Sequence, residues 1–270
     1  MNLIIERVDG ALYDLKSLGI DTLYFRPDSP SLETDSDVVG EGEIDLGSRY
    51  KSRMINASFF SRAMDYADYP LMRNELFKLF QSKEPYYVRP SEMPGIRWKV
   101  KSESTIDLER IANTGVFGVQ FKSYSPFSHS IGTTLDPLTF DSELWQIGQG
   151  LTVEEPEYTH TTSLFSIYNA GDEKIDPREV HTPVVIEFMG ASNNLKIKNI
   201  TTGDEWSYTG TTHDLDTIKL DGIRSTKNGL SIFRDTNRKL ITIASGWNEL
   251  EVTGATDTFT ISFDFRFYYI

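Results

Sequence analysis

The chain has 270 residues, 40 of them acidic and 27 basic, for a formal charge of −13. At roughly 150 residues per domain this is room for two domains, with one large β domain as the alternative. The negative balance excludes a protein that coats nucleic acid or lies on an anionic membrane, and the absence of cysteine excludes disulfides, thiolate-bound zinc, iron–sulfur clusters and a thiol nucleophile.

The start, Met1-Asn2-Leu3-Ile4-Ile5-Glu6, meets a charge before a signal sequence could form. The longest apolar runs, 115–121 and 184–186, fall far short of the about 20 residues of a membrane span. Frequent Val, Ile, Thr, Phe and Tyr, with turn signals every ten or so residues, predict antiparallel sheet in a soluble protein.

Between Pro27 and Asp45 the composition shifts. Asp28, Glu33, Asp35, Asp37, Glu41, Glu43 and Asp45 follow one another without a basic residue among them. Like charges at this density resist compaction, which predicts a long loop or a protruding arm.

One helix is predicted. Pro70 suits a first helical position, and residues 71–81 contain no Gly, Pro or β-branched residue. Met72, Leu76, Leu79 and Phe80 share a stripe at helical spacing, which implies that the helix covers a sheet. Asp65 and Asp68 before it and Lys78 and Lys83 at or near its end suit its dipole. After the breaks at Pro85, Pro90 and Pro94-Gly95, strands resume around 97–100 and 116–124.

The domain boundary is placed near 133–142, where Gly132, Pro137 and small polar residues interrupt the pattern, giving domains 1–135 and 136–270. In the second half, Leu195-Lys196-Ile197-Lys198-Asn199-Ile200 alternates at period two. The turn Thr201-Thr202-Gly203-Asp204 and a returning Glu205-Trp206-Ser207-Tyr208 make this a predicted hairpin. A second hairpin is expected from Ile232-Phe233 through Asp235-Thr236-Asn237 to residues 240–243. Residues 259–267 alternate strictly and form the clearest strand, assignable from sequence to either domain.

No constellation points to catalysis. His129, His160, His181 and His213 lack metal-ligand spacing. Asp35-Ser36-Asp37-Val38-Val39-Gly40 opens like a calcium loop but has Val39 and Leu46 where ligands are required. There is no nucleophile elbow and no phosphate-binding loop. Gly148-Gln149-Gly150 carries Val153 where a dinucleotide fingerprint needs a third Gly. Glu154 and Glu155 are adjacent, so on a strand they would face opposite ways. Trp145, Trp206 and Trp247 are either core residues or a platform for stacking sugars. The reading from residues alone is an acidic two-part β protein with a structural or binding role, no enzyme activity, and no cofactor or metal.

The order and spacing of these features resemble the distal tail (Dit) proteins of siphophages, whose tails are long and non-contractile. In the first half the resemblance runs from the acidic segment through residues 49–60 and the helix with Leu76-Phe77-Lys78-Leu79-Phe80. It continues through Pro85-Tyr86-Tyr87-Val88, Pro94-Gly95 and Trp98-Lys99-Val100 to Ser125-Pro126-Phe127. In the second half it rests on Asn169-Ala170-Gly171-Asp172, Pro183-Val184-Val185-Ile186-Glu187, Asn199-Ile200-Thr201-Thr202-Gly203-Asp204 with Tyr208-Thr209-Gly210, and Ser245-Gly246-Trp247-Asn248-Glu249-Leu250. Ser245 stands where the family has Pro, and the chain closes on Tyr268-Tyr269-Ile270.

The resemblance implies a mainly β protein. An N-terminal belt domain, a β-sandwich or split barrel with one α-helix, precedes a C-terminal galectin-like β-sandwich. It also implies a virion structural protein, a baseplate hub assembled in the host cytoplasm. Six belts would close into a homohexameric ring at the distal end of the tail tube, through which DNA passes without sequence-specific binding. Its partners would be the tail tube protein, the tail-tip or tail-associated lysin protein, and host-adhesion parts such as a receptor-binding protein, with no membrane insertion. The acidic segment would line the channel or clamp a neighbouring subunit, the plainer alternative being a solvated loop. A galectin-like fold need not bind sugar. A carbohydrate-binding adhesion module using Trp206 and Trp247 is the runner-up, and another tail tube or baseplate protein is a second rival.

Overall fold

The computed structural model describes residues 1–139, 144–151 and 156–270. Two compact units divide the chain, Met1–Ser128 with Ile270, and His129–Tyr269.

The strands of the first unit are β1 (Leu3–Glu6), β2 (Leu12–Asp14), β3 (Ile20–Pro27), β4 (Leu32–Val39), β5 (Gly42–Tyr50), β6 (Arg53–Arg62), β7 (Tyr86–Pro90), β8 (Ile96–Ser102), β9 (Glu109–Ile111) and β10 (Thr114–Ser123). The single α-helix among the described residues, α1 (Tyr69–Phe80), lies between β6 and β7. Its main sheet runs β2-β1-β7-β8-β10-β6-β3, with β9 alongside β10. The spine is a ten-residue antiparallel ladder of β6 and β10. Alternation along these strands turns Ile55, Ala57 and Phe59 inward with Phe117, Val119 and Phe121.

The predicted helical stripe lands on that surface. Leu76, Leu79 and Phe80 are buried and Met72 is packed at the edge, and the ring of Phe80 lies 5.0 Å from Phe59 and 5.7 Å from Phe117. Each fully buried side chain of this size contributes about 1.5–3 kcal/mol. Pro70 sits in the first turn. Asp65 Oδ1 accepts from the amides of Ala67 and Asp68 just before it. At the other end, Arg7 donates to the carbonyls of Leu79 (2.5 Å) and Lys78 (3.3 Å), a cation on the negative end of the helix.

The second unit carries β11 (Ser128–Ser130), β12 (Thr159–His160), β13 (Leu164–Asn169), β14 (Val184–Asn199), β15 (Glu205–Ser207), β16 (Thr211–Thr212), β17 (Thr217–Asp221), β18 (Arg224–Lys227), β19 (Leu230–Ser231), β20 (Gly246–Phe265) and β21 (Tyr268–Tyr269). Its sheet runs β12-β20-β14-β17-β18-β19, with β13 on β20 and β15 and β16 on β14. The last long strand thus belongs to the second unit.

Both β14 and β20 are long because each bends through a corner. Before the corner Ile186 pairs with Phe263, and beyond it Ile197 pairs with Val252, with register shifts between Gly190 and Lys196. Two glycines make the bend possible. A Cβ on Gly254 (φ +87°) would meet the carbonyl oxygen of Asn194 at 2.6 Å, and one on Gly190 (φ +150°) would meet Phe259 Cβ at 2.7 Å. The bend folds one sheet into two facing layers. Trp206, from β15, closes the space between them, lining a small gap with Ile186, Leu220 and Ile241 and donating from Nε1 to Ser225 Oγ at 3.3 Å.

The hairpin at 195–208 forms as the alternation predicts, with Lys196 opposite Ser207 and Gly203 at φ +79°. The second expected hairpin does not. Residues 233–235 form a 3-10 helix and 240–242 run without strand partners. Ile243 instead bridges to Ile175 and is buried. Ile232, Ile241 and Ile243 are all buried, and the pairing of Ile243 with Ile175 shows that the apolar spacing here serves burial without a hairpin.

Candidate assembly surfaces

The acidic segment is a β-hairpin, not a loop. Among the described residues β4 and β5 pair only with each other, from Leu32 opposite Tyr50 to Val39 opposite Gly42. Gly40, at φ +65°, opens the two-residue turn, where a type II′ turn wants Gly. A bulge between Asp35 and Ser36 in the register admits Gly47 at φ +130°. Charge density does not prevent pairing: Glu33, Asp35 and Asp37 of β4 share one face, Glu43 and Asp45 of β5, opposite Val38 and Ser36, take the other, and both faces are wet. The neck is tied by Lys51 N–H to the Ser31 carbonyl at 2.9 Å.

The seven acids do different things. Asp28 belongs to the base, where Asn56 Nδ2 donates to its Oδ1 at 3.1 Å and Arg53 Nε donates to its carbonyl at 2.5 Å. The Arg53 guanidinium lies 4.8 Å from the Trp98 ring centre. Partial burial lowers its affinity for the proton from the ordinary guanidinium value. Glu33 pairs with Arg49 at 2.8 Å and Lys51 at 3.6 Å, and the Arg49 hydrogen bond holds its carboxyl below the usual range. The distal five, Asp35, Asp37, Glu41, Glu43 and Asp45, meet no cation among the described residues. Their contacts are local, such as Ser36 Oγ to Glu43 Oε2 at 3.2 Å and Gly47 N–H to Asp45 Oδ1 at 2.8 Å. Beside them Val38, Val39, Ile44 and Leu46 are exposed.

The two candidate sugar-stacking residues separate sharply. Trp206 is 1% exposed, so its faces are unavailable to a sugar and it is a core residue. Trp247 is 46% exposed. It pairs across β20 and β13 with Tyr168, whose ring lies 5.0 Å away at 48°. Tyr168 carried no signal in the sequence, because its place beside Trp247 depends on strand register. Trp145 is buried and donates from Nε1 to the Pro137 carbonyl at 2.8 Å.

His160 stacks on Phe165 at 4.2 Å, and its burial pulls its pKa down. His181 and His213 lie on the surface. Gln149, of the weak glycine motif, is buried. Its Oε1 accepts from Gln146 N–H at 2.7 Å and its carbonyl accepts from the Tyr269 hydroxyl at 3.0 Å, a structural use of the segment. Val153, Glu154 and Glu155 lie outside the described residues. Among the described residues, no three acids or histidines are grouped to hold a metal ion.

Residues 14–123 match the family described as phage tail protein RIFT-related domain. The crystal structure of SPP1 Dit (gp 19.1), described as a paradigm of the hub adsorption apparatus in phages infecting Gram-positive hosts, superposes with a TM-score of 0.71 at 12% identity, covering 99% of each chain. Chains of the phage p2 baseplate in its activated conformation, with Sr and with Ca, give TM-scores of 0.46 and 0.47 at 10% and 9% identity, covering 98% of this chain and 97% of theirs. No curated protein sequence matches the chain. Residues 14–123 are thus a phage tail RIFT-related domain, and the fold of the whole chain is that of SPP1 Dit.

Proposed function

We propose that the protein is the ring-forming hub at the distal end of the tail tube. Six copies close around a hole, join the tube to the tail-tip or tail-associated lysin protein, carry host-adhesion parts and let DNA pass. The role is structural, not catalytic. The observation that carries this reading is the fold shared with SPP1 Dit over the full length of both chains. The arm supports it. A two-stranded hairpin with no third strand is marginal in water by itself, so a neighbour that covers it gives it a reason to exist. Six copies multiply the charge of −13, and an acidic conduit releases no counterions from DNA and therefore does not hold it. We assign residues 1–135 to ring formation and 136–270 to a galectin-like docking module.

Negative-stain electron microscopy of the concentrated protein tests the ring. Six-lobed particles around a hole are expected. Uniformly single particles, even with the rest of the tail tip present, would refute it.

A second reading, glycan binding by the second unit, is favoured by the exposed Trp247–Tyr168 pair. A glycan array decides it: a reproducible hit that disappears in Trp247→Ala supports adhesion, and an array without hits removes it.

A further inference from the structure

A cleft of about 600 Å³ opens in the first unit between α1 and the turn that joins β2 to β3. Leu18 and Ile20 line one wall, and Leu71, Met72 and Leu79 line the other. Leu18, Leu71 and the neighbouring Met64 are exposed there. Clefts of about 300–1,000 Å³ with apolar walls and a few polar groups are the usual shape of a binding site.

The charges at the mouth are unequal in their commitments. Glu75 is paired with Lys78 at 2.7 Å, and Asp68 accepts from the Met64 amide at 3.1 Å. Arg7 and Arg62 form no ion pair among the described residues. Arg7 spends Nη2 on the end of the helix and its guanidinium lies 4.7 Å from the Tyr86 ring centre, while Arg62 is exposed at the cleft. A carboxylate brought to the exposed Arg62 guanidinium would make a charge-assisted bond. The cleft thus asks for apolar side chains accompanied by negative charge.

The arm of the same chain displays that combination. Its distal end exposes Val38, Val39, Ile44 and Leu46 among five acids that meet no cation. No arm residue lines the cleft of its own chain. The eight residues of β4 span roughly 26 Å at about 3.3 Å each, enough to reach another copy. We propose that the tip of the arm docks in the α1 cleft of a second copy of this chain. The proposal rests on the ring reading and names the surface that closes the ring. Arm and cleft are different patches, so the contact is heterologous, and each copy gives one arm and receives one. Such contacts close into rings when the rotation allows.

The absence of cysteine makes the test clean. Val39→Cys and Leu71→Cys are prepared as separate full-length variants and as a double variant, and each is treated with a short bismaleimide at high protein concentration. The mixture of single variants should give cross-linked dimers, the double variant a ladder up to six, and each single variant alone no product. Adding Asp37→Asn and Glu43→Gln, or raising the salt, should lower the yield several-fold. Rings in the microscope with no cross-link in the mixture would overturn the docking and leave the ring reading standing. Equal cross-linking by a single variant alone would overturn the docking too. Neither rings nor cross-links would overturn both.

Discussion

Asn199 and Asn248, forty-nine residues apart, hydrogen-bond to each other through Nδ2 and Oδ1 at 3.0 Å, and neither side chain reaches solvent. Every polar atom of the pair is used. Asn199 Oδ1 accepts from the amides of Thr201 and Thr202, shaping the turn after β14, and its Nδ2 also donates to the Thr242 carbonyl. Asn248 Oδ1 accepts from the Ala244 amide, and its Nδ2 donates to the carbonyls of Ala244 and Gly246. Two of the motifs that resemble the Dit family, at 199–204 and 245–250, are two halves of one buried polar joint.

Replacing Asn248 with Ala should therefore strand several buried groups at once. Each orphaned group costs about 1–3 kcal/mol. The second unit should lose several kcal/mol in denaturant unfolding while the first unit is unchanged. Asn248→Asp should fail as well, since a carboxylate cannot donate to the two carbonyls.

The two tryptophans should respond oppositely. Trp206→Ala removes a ring sealed between two layers and should cost about 3–5 kcal/mol, read as a lower unfolding midpoint of the second unit. Trp247→Ala removes a half-exposed ring and should leave that midpoint nearly in place.

Three of the 13 tyrosines carry a pH dependence. Burial pushes the phenols of Tyr86, Tyr158 and Tyr269 well above the ordinary value, and each donates its hydroxyl to a main-chain carbonyl. A pKa raised by folding stabilises fully below the unfolded value of about 10 and loses that contribution as pH rises through the folded value. Stability should hold up to about pH 10 and then fall. Tyrosinate absorbance should show these three ionising only together with unfolding.

The arm should be dispensable for folding and necessary for assembly. Joining Ser31 to Lys51, already linked by the 2.9 Å bond at the neck, through a short Gly-Ser linker should leave the circular dichroism spectrum and unfolding midpoints intact and abolish rings. Changing Asp35, Asp37, Glu41, Glu43 and Asp45 to Asn or Gln tests charge alone. It should impair assembly or DNA ejection, and unchanged infectivity of phage carrying it would show that shape suffices.

What the sequence reveals is what acts locally. The α1 stripe and the alternation at 195–200 and 259–265 are visible because the buried face repeats within a few residues. The segment reads as a long loop or a protruding arm, with no strands assigned, because its acids mask a short hairpin signal, Val38-Val39-Gly40-Glu41-Gly42-Glu43-Ile44, with apolar residues on both sides of the turn. The false hairpin at 232–243 shows the converse: its isoleucines are spaced as a strand would space them, but Ile243 answers to Ile175. The α1 cleft is invisible in the same way, since Arg7, Leu18 and Leu71 meet only after the chain has folded back twice.

The corner shared by β14 and β20 decides how the second unit is born. Each strand serves both layers, and their pairing links residues 184–199 to 250–265. Neither layer is complete until β20 has been made. A nascent chain stopped before Gly246 would hold β14 with one edge bare along its whole length, an invitation to aggregate. With so many contacts between distant segments, folding of this unit is slow and cannot finish before β20 has been made. A chain without β20 has no stable second unit to bring to any assembly.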